Sequence, residues 1–433
     1  MSLGNRPPSR QPTIIEWLSL LARPGIGIKR WLIVGLAGLL ILATGIAFAL
    51  SISVGGTLTE IARRVTFAQS ISPLMRGALT ASIGLGLAAV SMYMLYRQIA
   101  LGAQYNRGNR GIIESLADRQ TRSAGANIVA IGGGTGLSTL LSGLKAYTDN
   151  LSAVVTVADD GGSSGRLREE LGIAPPGDAR QCLIALSESE PLMERVLSYR
   201  FDGGTDLSGH NFGNLLLATL VDLEGDLHHA LESAAKLLMV KGRVLPSSTS
   251  TQMRLAARTI SGTYLAGESA VGHAGEAIEA IWAEPPDCQP NPAVLEAIAN
   301  ADLIVMGPGS LYTSILPSFL IPGISEAVRQ ASAPKILVCN IATQRGETDG
   351  MSAADHLRAF ERHSHVEVSH FVVNSHPLEV HSDGGQVPIL PAIDGLVRES
   401  VTLVRSDMAD HSRITHHDSG RLATSIMGVL RQR

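Results

Sequence analysis

The 433-residue chain is predicted to be an α/β protein with a doubly wound parallel sheet, preceded by two transmembrane helices. Segments typical of strands, near residues 127, 153, 302, 336 and 370, alternate with segments of helical spacing, as in parallel sheets. A glycine cluster joins the first of these strands to the helix that follows it. Two long runs near the N-terminus contain no charged residue at all.

The two uncharged runs, residues 31–54 and 77–96, are each long enough to cross a hydrocarbon layer of roughly 30 Å as a helix. A pair of buried core helices fits less well, because such helices rarely run this long without a polar residue. A signal peptide would have a shorter apolar region and no second span after it. We therefore predict a two-pass protein of the plasma (inner) membrane, with residues 1–30 as an N-terminal segment.

Basic residues are more frequent outside this pair of runs than between them. Those before the first run are Arg6, Arg10, Arg23, Lys29 and Arg30; those after the second are Arg97, Arg107, Arg110, Arg119 and Arg122; those between are Arg63, Arg64 and Arg76. Because basic residues are retained on the cytoplasmic side, both termini and the main domain are predicted to be cytoplasmic. Residues 97–124 are predicted to form a juxtamembrane linker that can also contact anionic lipid heads.

Composition excludes several classes of function. The net charge is −4 and Lys and Arg form no long runs, so nucleic acid is not an expected partner. The cysteines, Cys182, Cys288 and Cys339, are far apart and odd in number, with no CxxC. This pattern predicts neither a disulfide framework nor a zinc site, and it fits a reducing compartment.

The main domain, predicted over residues 125–433, opens with a strand, a glycine turn and a helix. The turn consists of Gly132, Gly133, Gly134, Thr135 and Gly136. Without Cβ atoms a ligand can approach the backbone, and the helix start directs free N–H groups toward it, so an anion is predicted there. Leu137 stands at the third glycine of GxGxxG and no P-loop Lys follows, so dinucleotide redox chemistry is not predicted. Glycines that serve only a tight turn are the alternative.

A second strand, near residue 153, ends in Asp159 and Asp160. The carboxyl ends of neighbouring parallel strands lie side by side, so these acids are predicted to meet the glycine turn. They suit hydrogen bonds from ribose or other hydroxyls, or the sharing of a divalent cation. Ser163 and Ser164, in the glycine-rich turn that follows, add donors for an anion. The alternative is that one of these residues simply caps the next helix.

Two further turns carry polar side chains. Asp178, beside Arg180, is a candidate helix cap after a Pro-Gly turn. His210, Asn211 and Asn214 lie on a glycine-bearing turn immediately before an apolar helix. Amides at a helix N-terminus bind an anion or cap the helix, and the sequence leaves both readings open.

Two later strands end in turns that we also predict to contact a ligand. The residues concerned are Gly307, Gly309, Ser310, Tyr312, Thr313, Asn340, Gln344 and Arg345. Tyr312 and Thr313 are predicted to be exposed for stacking or hydrogen bonding. The loops of a doubly wound sheet converge on one edge, so these turns are expected to meet the first two.

Residues 225–295 have a different texture, with short β segments and turns, and are predicted to be an insertion over the ligand edge. The late histidines, His411, His416 and His417, are predicted to be solvated loop residues ahead of a final helix rather than metal ligands.

Six ordered motifs together resemble one family: GGGTGLSTLLSGLK, ADDGGSSGRLREELG, PPGDARQ, GHNFGNL, MGPGSLYTSILP and QRGETDG. The chain resembles the YvcK proteins, or gluconeogenesis factors, which group with CofD, the 2-phospho-L-lactate transferases of deazaflavin coenzyme synthesis. The similarity covers roughly residues 125 to 430 and leaves out the two N-terminal runs. It implies a Rossmann-like, CofD-like fold with a nucleotide site.

The resemblance also implies two alternative functions. YvcK-type members are associated with binding UDP-sugars such as UDP-N-acetylglucosamine and with cell shape and cell-wall synthesis during gluconeogenic growth. CofD members transfer a phospholactyl group to a deazaflavin alcohol with magnesium. The motif spelling favours a UDP-sugar-binding regulator, with cell-envelope synthesis proteins as partners. Tyr312 would then stack on or bond the nucleotide, and Arg345 would contact the diphosphate. Asp159 and Asp160 would hold a metal or hydroxyls. Catalysis and homo-oligomer formation are left open.

Overall fold

The computed structural model describes residues 28–49, 72–104, 122–188, 191–204, 207–375, 387–389, 398 and 400–431. The chain forms two compact units, Met1–Thr121 and Arg122–Arg433. Residues 1–27, residues 50–54 of the first predicted span and most of the predicted linker lie outside the described residues.

The N-terminal unit contains two long helices, α1 (Ile28–Ala49) and α2 (Pro73–Gln104). Within them, Arg30–Ala47 and Leu74–Arg97 are long and apolar enough to span a membrane by length and composition. Only about a tenth of each of these segments is buried within the unit, so their apolar side chains face outward. This pattern is expected of helices surrounded by lipid.

Small residues let the two helices approach closely. A Cβ added at Gly45 would lie less than 3.0 Å from the backbone of Ala81, and one at Gly84 less than 3.0 Å from the backbone of Leu42. Close backbone approach through glycine and alanine is the usual way in which membrane helices associate, since lipid offers no hydrophobic drive between them.

The globular unit alternates strands and helices along most of its length. Its strands are β1 (Ile128–Gly132), β2 (Leu151–Val155), β3 (Arg243–Pro246), β4 (Arg254–Thr259), β5 (Tyr264–Ala266), β6 (Ile278–Glu284), β7 (Leu303–Met306), β8 (Lys335–Val338), β9 (His370–Asn374), β10 (Thr402–Ser406), β11 (Ala409–Asp410) and β12 (Arg413–His417). Its helices are α3 (Gly134–Leu144), α4 (Gly162–Leu171), α5 (Gly177–Leu186), α6 (Pro191–Ser198), α7 (Phe212–Glu224), α8 (Leu227–Leu237), α9 (Glu268–Val271), α10 (Pro292–Ala299), α11 (Leu316–Phe319), α12 (Ile324–Gln330), α13 (Ala353–Ser364) and α14 (Ser419–Arg431).

Seven strands form one parallel sheet in the order β10-β9-β8-β7-β1-β2-β3. Every residue of β1, β2 and β7 is buried, as expected of a sheet covered on both faces. The predicted doubly wound sheet is confirmed, with β1, β2, β7, β8 and β9 near the predicted positions. The chain runs from the central β1 to one side and later returns to β7 on the other, so β1 ends at a topological switch point.

A smaller antiparallel sheet, in the order β5-β4-β6, occupies part of the predicted insertion. The inserted sheet spans residues 254–284, narrower than the predicted 225–295. Residues 243–246 instead form β3, the edge strand of the main sheet. The sequence hides β3 because it is only four residues long and ends in proline.

Helix α3 shows how the core fixes the site. Leu137, Leu140, Leu141 and Leu144 recur at helical spacing and are fully buried. They hold the helix against the sheet, so its first turn stays at the carboxyl end of β1.

Candidate functional site

A polar cleft, the glycine cleft, lies at the carboxyl ends of the central strands and has a volume of about 240 Å³. Its lining consists of Gly133, Gly134, Thr135, Gly136, Thr139, Pro308, Gly309, Ser310, Ser314, Asn340, Ile341, Ala342, Thr343, Gln344, Thr415, His416 and His417. The turns after β1, β7 and β8 therefore meet in one place, together with β12.

The floor of the cleft is the start of α3. Gly134 has a φ of +59°, a left-handed conformation that favours glycine. Among the described residues, no group accepts a hydrogen bond from the N–H of Thr135 or Gly136. Two backbone donors at a helix N-terminus are thus available to an anion.

Two of the glycines are also required by packing. A Cβ at Gly136 would lie less than 3.0 Å from the backbone of Pro308, and one at Gly133 would meet the carboxyl of Asp178 at a similar distance. At Gly132 the nearest atom to an added Cβ would be 3.7 Å away, an ordinary contact. The turn thus uses glycine partly for close packing, as the alternative interpretation held.

The opposite wall is neutral and hydrogen-bonded. The Asn340 side chain accepts from the Gly309 N–H (3.0 Å) and donates to the Gly309 carbonyl (2.8 Å). The Ser310 hydroxyl donates to Gln344 Oε1 at 2.5 Å. These bonds fix the loop after β7 against the loop after β8, so the cleft has a preformed polar wall.

The predicted solvated loop is right for His411, which lies exposed in a turn, and wrong for His416 and His417, which lie on a strand. His416 and His417 lie on β12 and line the cleft. His417 Nε2 is 3.2 Å from the Cys339 carbonyl oxygen, and burial lowers the pKa of His417 to about 4, so its imidazole is neutral. The prediction was wrong because the β11–β12 hairpin is too short and polar to show strand alternation. His411, in the turn between these strands, is exposed.

The turn after β2 forms a second group, the serine–amide cluster. It consists of Ser163, Ser164, His210, Asn211 and Asn214, all of them buried. Asn214 Nδ2 donates to the Ser163 and Ser164 hydroxyls at 3.2 and 3.4 Å, and the Asn211 N–H donates to the Ser163 hydroxyl at 3.2 Å. His210 Nδ1 is 3.4 Å from the same hydroxyl.

Most of the hydrogen bonds of the serine–amide cluster are formed among its own residues. Asn211 is the N-cap of α7 and accepts from the N–H of Asn214, so capping is established for Asn211. Arg180 Nε donates to Asn214 Oδ1 at 2.9 Å. Contact of these side chains with a ligand remains a prediction.

Four carboxyl groups lie close enough to influence one another. Asp159 accepts from the Gly161 N–H at 2.9 Å, and Asp160 accepts from the Ser269 N–H and hydroxyl at 2.9 and 2.6 Å. Burial raises the pKa of Asp159. Burial, then the charge of Asp159, raises the pKa of Asp178 to about 7. Burial, then the charges of Asp159 and Asp160, raises the pKa of Glu268 to about 7.

Asp178 connects the glycine cleft with the group of carboxyls. Its carboxyl accepts a hydrogen bond from the Gly134 backbone N–H. Asp178 does not cap α5 as predicted, because that helix begins at Gly177 with Pro176 as its N-cap, and the side chain reaches the glycine turn instead. Its role in the site was missed, since only the fold brings α5 beside the first turn of α3.

The described residues contain no group of three or more His, Cys, Asp or Glu arranged for one metal ion. Mg²⁺ commonly takes only one or two carboxylates and completes its shell with water and ligand phosphate. Asp159 and Asp160 supply two adjacent carboxyls. The charge of Asp159 acts on Asp178, whose carboxyl accepts a hydrogen bond from Gly134 in the glycine turn. Magnesium is therefore compatible with these donors, and its binding stays a prediction.

Tyr312 and Thr313 are buried, only 5% and 2% exposed, so their predicted exposure was wrong. A π-helical turn, Leu311–Ile315, directs them inward. The Tyr312 N–H donates to Glu347 Oε1 at 2.6 Å, and the Thr313 hydroxyl lies 3.5 Å from Glu347 Oε2. Burial raises the pKa of Glu347 to about 7. Nucleotide stacking by Tyr312 would require this packing to open.

The remaining predicted residues lie beside the cleft without lining it. Gly132 and Gly307 are buried in the backbone that supports it, where the Gly307 N–H donates to the Ile131 carbonyl at 2.9 Å. Arg345 is exposed, on the loop after β8, and forms no ion pair with a described residue. Its contact with a diphosphate remains a prediction.

Residues 128–423 match the family described as 2-phospho-L-lactate transferase CofD. The chain belongs to this family. Among curated relatives, the Gluconeogenesis factor of Halalkalibacterium halodurans is 50% identical over 253 residues, 58% of this chain and 78% of that protein. The Gluconeogenesis factor of Bacillus subtilis is 41% identical over 312 residues, 70% of this chain and 98% of that one.

A relative from Deinococcus radiodurans aligns over 421 residues at 38% identity, 93% of this chain and 88% of its own length. Among solved structures, Protein BH3568 from Bacillus halodurans superposes with a TM-score of 0.66 at 42% identity. That match covers 70% of this chain and 99% of that one. The predicted resemblance to gluconeogenesis factors and CofD is confirmed.

Proposed function

We propose that this protein is a membrane-anchored, cytoplasmic binding protein for a nucleoside-diphosphate sugar of the UDP-N-acetylglucosamine type. It would act as a regulator of cell shape and cell-wall synthesis during gluconeogenic growth. The observation that carries the proposal is the glycine cleft, where backbone donors of α3 face a wall of neutral amide and hydroxyl groups.

The chemistry of the cleft suits such a ligand in two respects. The N–H groups of Thr135 and Gly136 offer an anion the start of a helix, where the dipole favours negative charge. Asn340, Gln344 and Ser310 present oxygens and N–H groups that can exchange hydrogen bonds with sugar or base. Arg345, exposed on the adjoining loop, would pair with a diphosphate.

The two N-terminal helices indicate where in the cell the proposed function would be carried out. Two helices apolar enough to span a membrane, with basic residues mainly on their outer flanks, would retain the globular unit at the cytoplasmic face. A sensor held there would be close to the proteins of cell-envelope synthesis, which we propose as its partners. A homo-oligomer is compatible with this arrangement.

Calorimetric titration of the detergent-solubilised full chain with UDP-N-acetylglucosamine tests the proposal. We expect saturable binding that competes with UDP and is weakened at least tenfold, about 1.4 kcal/mol, by Asn340→Ala, which removes both bonds to Gly309. Ser412→Ala, a change on an exposed turn, serves as the matched control and should bind normally. A folded sample that gives no saturable signal at millimolar ligand would contradict the proposal.

One observation favours a second candidate, a magnesium-dependent 2-phospho-L-lactate transferase. The carboxyls of Asp159, Asp160, Asp178 and Glu268 crowd beside an anion-type turn, and a divalent cation would relieve their mutual repulsion. When bound, magnesium would neutralise phosphate charge; Asp159 and Asp160 would hold it.

This candidate predicts phospholactyl transfer from a guanylylated donor to a deazaflavin alcohol in the presence of magnesium. The alcohol oxygen forms the new phosphoester bond as the diphosphate bond of the donor breaks, and guanylate is the leaving group. Asp159→Asn and Asp160→Asn would each abolish product formation, whereas Asp222→Asn, on an exposed helical surface, would not. Absence of product from the folded chain with magnesium and both substrates would rule this reading out.

A further inference from the structure

A second polar cleft, the α3–α5 cleft, adjoins the glycine cleft, with which it shares Thr139, and has a volume of about 500 Å³. Lys145, Arg180 and Arg413 line it, with Ser142, Gln181 and Glu194. It thus contains three cationic side chains and one carboxylate. The cations come from three separate elements, so the fold rather than a local run of basic sequence brings them together.

Two of these cations are held in place. Lys145 Nζ donates to the Ser187 carbonyl at 3.0 Å, which leaves ammonium hydrogens for another acceptor. Arg180 is fixed by its bond to Asn214. Arg413 is exposed at the edge of the cleft. A positioned ammonium and guanidinium beside hydroxyls form a suitable site for a phosphate group.

The helix beside the cleft exposes its apolar side chains. Leu192, Met193 and Val196 of α6 are 62%, 42% and 38% exposed, and Tyr199 directly after it is 55% exposed. Among the side chains of α6 from residue 192 onward, only Leu197, 3% exposed, is buried in the core. An exposed apolar face next to a basic cleft is the combination found in proteins that bind membrane interfaces.

The chain from the predicted spans joins the globular unit at this same face. Arg122 forms an ion pair with Glu188 at 3.6 Å, three residues before α6. Burial lowers the pKa of Lys145, and the charges of Glu194 and Arg122 act on it in opposite directions, so Arg122 is also near the cleft.

We propose that the α3–α5 cleft binds the phosphate headgroup of an anionic membrane lipid while the exposed side chains of α6 and Tyr199 insert at the bilayer interface. The occupant is a lipid surface rather than a second copy, because cationic groups and the attachment of the membrane tether both lie beside the apolar face. The inference rests on the membrane anchoring proposed above and is independent of the ligand of the glycine cleft.

Quenching by spin-labelled lipid tests the proposal on the full chain in vesicles. Val196→Cys and, as a matched control, Ile260→Cys, 69% exposed in the turn after β4, would each carry an environment-sensitive fluorophore. The native cysteines are buried and would not compete for the label. We expect quenching at residue 196 roughly threefold or more above that at residue 260 when phosphatidylglycerol is present, and a clear fall in phosphatidylcholine alone.

The doubly substituted Lys145→Gln and Arg413→Gln chain should lose this excess quenching. Arg413→Gln alone, an exposed change, should reduce it without lowering the melting temperature, which separates headgroup binding from misfolding. Equal quenching at both positions, or quenching independent of anionic lipid, would overturn the proposal. Saturable binding of inorganic phosphate by the chain, with no excess quenching at residue 196 in phosphatidylglycerol vesicles, would assign the cleft to a free phosphate instead. Failure to recover the chain with vesicles would refute the anchor, and this inference with it, but not nucleotide binding.

Discussion

The turns after β1 and β2 look alike in sequence but differ in structure. Both are rich in glycine and hydroxyl residues and both lead into a helix. The turn after β1 leaves two backbone donors facing an open cleft, whereas the hydroxyls after β2 are bonded to Asn211 and Asn214. Glycine content alone therefore does not identify a binding turn. The partners that the rest of the fold supplies decide which turn stays open.

The strongest test of the first turn is Gly136→Ala. The new Cβ would lie less than 3.0 Å from the Pro308 backbone, which has little room to move. We expect a loss of about 1–3 kcal/mol in the free energy of unfolding and at least tenfold weaker binding at the glycine cleft. Thermal unfolding and ligand titration would measure both effects.

Gly132→Ala is the control for this change, since its nearest neighbour would be 3.7 Å from the new Cβ. It should cost less than about 1 kcal/mol. If the two variants behaved alike, close packing at Gly136 would not be what shapes the cleft.

The second prediction concerns Asp178 on α5, which accepts a hydrogen bond from the turn after β1 and is influenced by the charge of Asp159 in the turn after β2. Its pKa is about 7 in the folded chain against an ordinary value of 3.8, so the fold favours its protonated form. The stability that this proton contributes is fully present below pH 4 and is lost as the pH rises through 7. An asparagine at position 178 does not ionise, so Asp178→Asn should not show this loss of stability. The free energy of unfolding of the variant minus that of the natural chain should therefore rise by on the order of 2–4 kcal/mol between pH 4 and 8.

Thermal unfolding at a series of pH values would check this expectation, with the exposed Asp222→Asn as the control. A difference between Asp178→Asn and the natural chain that stayed constant with pH would show that Asp178 is ionised throughout.

The smallest structural effect is expected at Arg345, which is exposed on the loop after β8. Arg345→Ala should shift the melting temperature by no more than about 1 °C, since surface changes are usually within 0.5 kcal/mol. If Arg345 meets a diphosphate, the affinity for a UDP-sugar should fall roughly tenfold, with partial recovery in Arg345→Lys. Unchanged affinity in both variants would place Arg345 outside the site.

The sequence predicted those parts of the fold that depend on local pattern. Apolar runs next to glycine turns revealed β1, β2 and β7, and leucine spacing revealed α3. The edge strand β3 was hidden by its shortness and its proline. The β11–β12 hairpin was missed because its residues are mostly polar and show no strand alternation. His416 and His417 were therefore predicted in a loop, although they lie on β12.

The site was predicted best where strand ends define it. Gly134, Gly309, Asn340 and Gln344 all follow parallel strands and all line the cleft. The predicted exposure of Tyr312 was wrong. A stretch with polar and aromatic residues is typical of an exposed segment, but here the buried Glu347 carboxyl accepts a hydrogen bond from the Tyr312 N–H, and the Tyr312 side chain is buried. Such long-range partners lie 35 residues apart in the chain and leave no local signature.

The hydrogen bond from Gly134 to Asp178 gives ligand binding an electrical consequence. Near neutral pH this carboxyl is about half protonated, and it lies beside the place where an anion would approach α3. A negative guest would raise the proton affinity of Asp178 further, so the protein would take up part of a proton from the buffer as the guest arrives. The heat of association would then depend on which buffer supplies that proton, and a lower pH would favour the ligand-bound state.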